Sequence, residues 1–144
     1  MSTRAVFTFK DKREREQYFG TEFSVYKHHD GYPRGAYEAI KNALPWAWEL
    51  PRFEACEFSA AFVAGNKPEP KLAHESGAYY RQGGDIYLTK KWENHVDLEY
   101  RYEIELQDEK LFIRAFKVCS LNCRLIFEGD LNEFRDYVKN EENR

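Results

Sequence analysis

Hydrophobic and polar positions along the chain divide it into short alternating runs and a few stripes of three-and-four spacing. Residues Ala5 to Phe9 form an apolar run interrupted by Thr8, and they predict a strand. A charged connection follows, from Asp11 to Gln17. Phe23 to His29 is the second strand candidate, with Phe23 and Val25 facing one way and Ser24 and Tyr26 the other. Asp30-Gly31 is a turn signal, so these runs are expected to pair antiparallel. Pro33 suits the first turn of a helix. Ala36, Ile40 and Ala43 then fall on one stripe, and Pro45 ends that helix.

Phe53, Cys56, Ala60 and Val63 recur at spacings of three and four, which predicts a second helix between Pro51 and Gly65. A short strand is expected from Asp85 to Leu88. The clearest alternation runs from Val96 to Leu106. Val96, Leu98, Tyr100, Tyr102, Ile104 and Leu106 alternate with Asp97, Glu99, Arg101, Glu103 and Glu105, as on a sheet with one buried and one wet face. Residues Gln107 to Lys110 make a hairpin, Leu111 to Val118 returns, and Cys123 to Phe127 adds a third strand. Asp130 with Glu133 three residues on reads as a capping box for a last helix, whose core face is Leu131, Phe134 and Val138.

Strands and helices are segregated along the chain, and no β-α-β spacing is visible. The expected class is α+β: a single domain over residues 1–144, with a twisted antiparallel sheet and about three helices on one face. Residues 65–84, rich in Gly and Pro, are expected to form a long loop inside it.

The chain has 144 residues, an ordinary size for one domain. Its 11 Phe, 10 Tyr and 3 Trp supply enough ring surface for a real core, which argues against a disordered chain. No run of 18 apolar residues occurs, so no transmembrane helix is expected, and no charged-then-apolar leader opens the sequence. Formal net charge is −3, and residues 96–144 hold the acidic excess, with 8 basic and 12 acidic residues. Without a basic stripe, binding to extended DNA or RNA is not expected, although a pocket for one nucleotide needs only two or three cations. Three cysteines, Cys56, Cys119 and Cys123, fit a reducing, cytoplasmic compartment. Cys119 and Cys123 lack both the spacing of a redox pair and a second pair to complete a zinc site. Neither a metal nor another cofactor is expected.

The distinctive stretch is Tyr26-Lys27-His28-His29-Asp30-Gly31-Tyr32-Pro33-Arg34-Gly35. It concentrates imidazoles, a carboxylate, phenols and cations at one strand-turn-helix corner. Helix-start amides favour an anion, Arg34 offers a bidentate fork to phosphate or carboxylate, and Tyr26 or Tyr32 can stack on a ring. Each residue also has a sufficient local role: Asp30-Gly31 makes the turn, Tyr32-Pro33 sets the helix start, and a buried histidine is hydrogen-bonded. A second patch, His74 to Gln82, contributes Tyr80 and Arg81 as a further stacking and anion-binding pair, or as a protein contact. No P-loop, dinucleotide fingerprint, zincin motif or nucleophile elbow occurs.

The Ser2-Thr3-Arg4 opening, the His-x-Asp-Gly-Tyr-Pro order at the corner and the Asp97 to Tyr102 segment resemble a group of small, functionally uncharacterised proteins of bacteriophages and prophages. The match covers roughly 30 of the 144 residues, and the sequence departs from the group in Lys27-His28 before His29 and in its central loop. The resemblance implies a phage-associated protein of the host cytosol and transfers no catalytic residue.

Three function classes follow. The leading expectation is a non-catalytic, phage-type accessory protein, of counter-defence kind, that binds a nucleotide-like molecule or a host defence protein. Its ligand-binding residues would be Tyr26, His28, His29, Asp30, Tyr32, Arg34, Tyr80 and Arg81. The alternative is a small phosphodiesterase or nuclease-like hydrolase using His28, His29 and Asp30. The third is a structural or virion protein. A homodimer is compatible with all three, and Trp46, Trp48 or the long loop is where its surface is expected.

Overall fold

A computed structural model describes residues 2–11, 22–67, 85–120 and 122–142. Expectations placed on Tyr80, Arg81 and most of the loop at 65–84 lie outside the described residues.

Six strands form one sheet: β1 (Ala5–Lys10), β2 (Glu22–Lys27), β3 (Ile86–Thr89), β4 (Tyr100–Gln107), β5 (Lys110–Cys119) and β6 (Asn122–Asp130). Their spatial order is β3-β2-β1-β4-β5-β6. Three α-helices accompany them: α1 (Pro33–Ala43), α2 (Ala55–Asn66) and α3 (Leu131–Glu142). The class is therefore α+β. No helix among the described residues is long and apolar enough to cross a membrane.

The sheet is mixed, which corrects the expectation of a wholly antiparallel one. Four pairings are antiparallel, but β1 and β4 run parallel, with Phe7 opposite Tyr102 and Phe9 opposite Ile104. A search for β-α-β spacing misses this pairing because β2, α1, α2 and β3 all intervene between the two strands. It needs no local signature, only apolar side chains that match on one face.

That face carries the core. Ala5, Phe7, Phe9, Val25, Tyr102, Ile104, Ile113 and Ala115 are buried beneath the helices. Helix α1 contributes Ala36, Ala39, Ile40 and Ala43, as its stripe predicts. Helix α2 is rotated from the expected stripe. Ala55, Phe58, Ser59 and Phe62 are inward, while Cys56 and Ala60 are exposed. Both sets have helical spacing; the set with two phenyl rings wins, since they reach Phe7 and Phe9 at ring-centre distances of 4.6 to 5.5 Å. Helix α3 starts as predicted. The Asp130 carboxylate accepts from the Glu133 N–H at 2.8 Å, and the Glu133 carboxylate accepts from the Asp130 N–H at 3.0 Å.

The long alternating run is shortened at its start. Asp97 takes a left-handed conformation with φ of 64°, Val96 is 83% exposed, and β4 begins at Tyr100. Leu98 accordingly leaves the helix-covered face and joins Val6 and Tyr26 in a small cluster on the opposite face, with Trp92 and Val118 against it.

That opposite face is held by paired charges. Arg101 donates to Glu103 at 2.8 Å, and Lys10 meets Glu103 at 3.2 Å and Glu22 at 3.6 Å. Arg114 bridges Glu105 and Glu128. Burial disfavours the ionised Glu103 carboxyl, but Arg101 and Lys10 outweigh it and hold its pKa below the usual value.

Candidate functional site

The corner after β2 divides the sequence-derived site residues into two groups. The first lies where β2 and β3 end together. The Tyr26 hydroxyl shares a 2.7 Å hydrogen bond with His28 Nδ1, and its ring stacks on His95 at 4.3 Å and 8°. His29 Nε2 lies 3.1 Å from the Asp85 carboxylate, with His28 edge-on at 4.7 Å. His95 Nε2 is 2.7 Å from the Thr89 hydroxyl. The β2–β3 pairing produces this arrangement, since Tyr26 stands opposite Tyr87 and the His28 N–H donates to the Asp85 carbonyl. Burial lowers the His28 imidazole below its ordinary value, against the opposing pull of Asp85, and burial also lowers His95. Burial raises the Tyr26 phenol, with Arg4 opposing.

Asp30 does not join these histidines. It sits at φ 57°, and its carboxylate accepts from the Tyr32 hydroxyl at 3.2 Å. Asp85, 56 residues away from His29, takes the place that Asp30 was expected to fill. No group of three His, Cys, Asp or Glu side chains positioned for a metal occurs among the described residues.

Gly31 is fixed by two backbone contacts. Its N–H donates to the Thr3 carbonyl at 2.8 Å, and its carbonyl accepts from the buried Tyr102 hydroxyl at 2.6 Å. A side chain at Gly31 would meet the Ala5 Cβ and the Thr3 carbonyl at 2.7 Å each. Burial pushes the Tyr102 phenol well above its usual pKa, so it remains a donor. Much of the unusual corner is thus a device for docking the start of α1 onto the sheet.

The second group, Tyr32 and Arg34, faces a different place. With Pro33 they form one wall of a cleft of about 460 Å³, closed on the other sides by Tyr100, Lys117, Arg124 and Ile126 of the sheet and by Tyr137, Val138 and Glu141 of α3. A smaller depression of about 200 Å³ on the other side of Arg34 holds Lys27, Asp30, Glu38, Asn42 and Asn66. Tyr26, His28 and His29 line neither.

Lys117 and Arg124 are directly opposite one another in the β5–β6 register. Neither forms an ion pair among the described residues; the Lys117 ammonium instead lies 4.3 Å over the Tyr100 ring. Like charges directly opposite across two strands are destabilising. Here the pair projects into a cleft that already holds the first turn of α1, a turn with no acidic residue and no side-chain cap. A helix start and converging cations form a field suited to an anion.

Reading the sequence did not single out Tyr100, Lys117, Arg124 or Tyr137 as site residues. One signal was legible. On β5, Leu111, Ile113 and Ala115 point inward, and Lys117 continues the same face. Arg124 and Tyr137 carry no comparable sign, because β6 and α3 bring them in from separate elements.

Among known proteins, no family model, curated protein or solved structure matches the chain. The molecule is therefore defined by its fold and its clefts: an α+β protein with a six-stranded mixed sheet, one helix-covered face and a cationic, tyrosine-lined cleft at the end of that face.

Proposed function

We propose that the protein is a non-catalytic binder of a small anionic, ring-bearing ligand of nucleotide type, seated in the cleft between α1, α3 and the β4–β6 strands. The carrying observation is the in-register opposition of Lys117 and Arg124 in the wall of that cleft, where Lys117, Arg124 and Arg34 outnumber one carboxylate, Glu141. An anion between these side chains turns a repulsive pair into two charge-assisted contacts. Arg34 adds a third cation, and the Tyr32 ring, 40% exposed, offers a stacking surface. The volume of about 460 Å³ is that of an ordinary small-molecule site. The likeness to phage proteins gives this binder its setting: a host cytosol in which holding a nucleotide-like signal, or a host defence protein, would blunt a defence.

The test is isothermal titration with a panel of adenosine and guanosine mono-, di- and triphosphates, followed by mass spectrometry of what heat releases. Binding of at least one panel member at one per chain, released intact, is expected. The Lys117→Ala/Arg124→Ala double variant should lose it. Unchanged affinity in that variant, or release of cleaved product only, would reject this reading.

One observation favours the alternative of a small hydrolase. His29 with Asp85 at 3.1 Å has the arrangement of a base held by a carboxylate, and His28 stands beside it. Asp85 here fills the role assigned to Asp30. Hydrolysis of bis(p-nitrophenyl) phosphate that disappears in a folded His29→Ala variant would support it, and activity retained in that variant would remove it.

A further inference from the structure

Two strands end the sheet, and they differ in character. The outer strand β6 carries Arg124 and Glu128, and its pairing with β5 slips at Ala115/Phe116, an irregularity of the kind that blunts an edge. The outer strand β3 has the sequence Ile-Tyr-Leu-Thr, without a charge or a proline, and its pairing with β2 is regular over all four residues. Among the described residues no strand lies on its outer side.

The exposed apolar residues gather at this end. Of seven exposed large hydrophobics among the described residues, Tyr87 and Leu88 are on β3, and Phe23 is on the adjoining part of β2. Leu88 is 64% exposed and Tyr87 46%. Leu88 stands opposite Val25 and so shares the helix-side face, where it borders a depression of about 380 Å³ formed with Phe23, Thr89 and Lys90.

Charge supplies the direction. Asp85, whose carboxylate also meets His29 at 3.1 Å, precedes β3, and Lys90 and Lys91 follow it; neither lysine forms an ion pair among the described residues. A second β3 laid antiparallel alongside the first therefore sets the acidic end of each strand beside the basic end of the other. A parallel copy would set lysines beside lysines. With the two-fold axis near Leu88 and normal to the sheet, opposite residues keep the same face. Leu88 then meets the partner's Leu88 above the depression, and Tyr87 comes opposite the partner's Thr89.

We propose that β3 is the contact of a symmetric homodimer, in which two copies join edge to edge into one continuous antiparallel extension of the sheet. Main-chain hydrogen bonds between the β3 strands hold it, Leu88 and Phe23 supply its apolar centre, and the Asp85 and Lys90–Lys91 ends set its polarity. The surface is separate from the anion cleft, and it adds a further place to look for self-association beside Trp46, Trp48 and the long loop. Trp46 is 64% exposed, and Trp48 lies under Arg52 at 3.7 Å.

The experiment is sedimentation velocity with light scattering on the full chain over a range of concentrations. A monomer–dimer equilibrium is expected. Leu88→Lys places two ammonium groups at the axis and should raise the dimer Kd by about tenfold or more. Leu125→Lys, an exposed leucine on β6, should leave it unchanged. Asp85→Lys should weaken the dimer, and adding Lys90→Asp and Lys91→Asp should restore it. A chain that stays monomeric throughout overturns the proposal, as does a dimer indifferent to Leu88→Lys or one broken by Leu125→Lys. Leu88 is exposed, and far-UV circular dichroism of each variant separates lost association from lost fold.

Discussion

The hydroxyl of Tyr102, buried near the start of β4, donates a 2.6 Å hydrogen bond to the carbonyl of Gly31, 71 residues earlier in the chain. The bond joins a central strand to the turn that starts α1, and it explains why an uncommon Asp-Gly-Tyr-Pro order has a structural use. Tyr102→Phe keeps the ring and removes the donor, leaving a buried carbonyl without this partner. The expected loss is about 1–3 kcal/mol in urea-induced unfolding. A variant as stable as the parent would show that the bond does not anchor the corner.

Gly35 is under a tighter steric limit. A Cβ there would lie 2.0 Å from the Asp30 carbonyl oxygen, a backbone atom that cannot rotate away. Gly35→Ala must shift the turn or the first turn of α1, at a cost of about 1–3 kcal/mol. Because Tyr32 and Arg34 flank the same turn, the variant should also weaken any ligand of the adjoining cleft. Equilibrium unfolding and titration calorimetry on the same sample check both effects.

Lys117→Glu separates stability from binding. The new carboxylate would stand opposite Arg124 in register, so a repulsive pair becomes an attractive one. Measured against Lys117→Gln, which also lacks the ammonium over the Tyr100 ring, Lys117→Glu should be more stable by about 0.2–1 kcal/mol, and it should lose the anion ligand. A Glu variant no more stable than the Gln variant would show that the charge facing Arg124 does not matter to stability.

Stability should fall as the solution turns mildly acid. His28 and His95 both titrate below the ordinary imidazole value of 6.5 because burial disfavours their charged forms. The unfolded chain then binds more protons than the native one in the window just below pH 6.5, so stability rises with pH there. Their contribution is complete above that value and is lost as pH falls toward the lowered native pKa values. Thermal unfolding at pH 7.5 and 5.5 should give the lower Tm at 5.5. The His28→Asn/His95→Asn double variant should flatten the difference, and an unaltered difference would assign it to other groups.

The last helix depends on its box. Asp130→Ala removes the acceptor for the Glu133 N–H and should cost about 1 kcal/mol. Urea unfolding of the variant checks it, and no measurable change would mean that packing of Phe134 and Val138 alone sets the start of α3.

Patterns whose cause is local were legible in the sequence. The alternation from Tyr100 to Leu106, the stripe of Ala36, Ile40 and Ala43, and the box of Asp130 and Glu133 follow from the period of one element or from residues three apart. The rotation of α2 was not legible, because two stripes had the same spacing, and only contact with Phe7 and Phe9 chose between them. The same holds for the sheet order, since β1 and β4 are paired across four intervening elements. The candidate site divides along this line. The sequence by itself determined that a polar, aromatic corner follows β2 and starts α1. Tertiary structure decided that Asp85, not Asp30, faces His29, and that Arg34 looks across a cleft at Lys117 and Arg124. The physical reason is range: turns and helix starts are set within a few residues, whereas a charge acquires its neighbours only when the sheet pairing brings distant strands together.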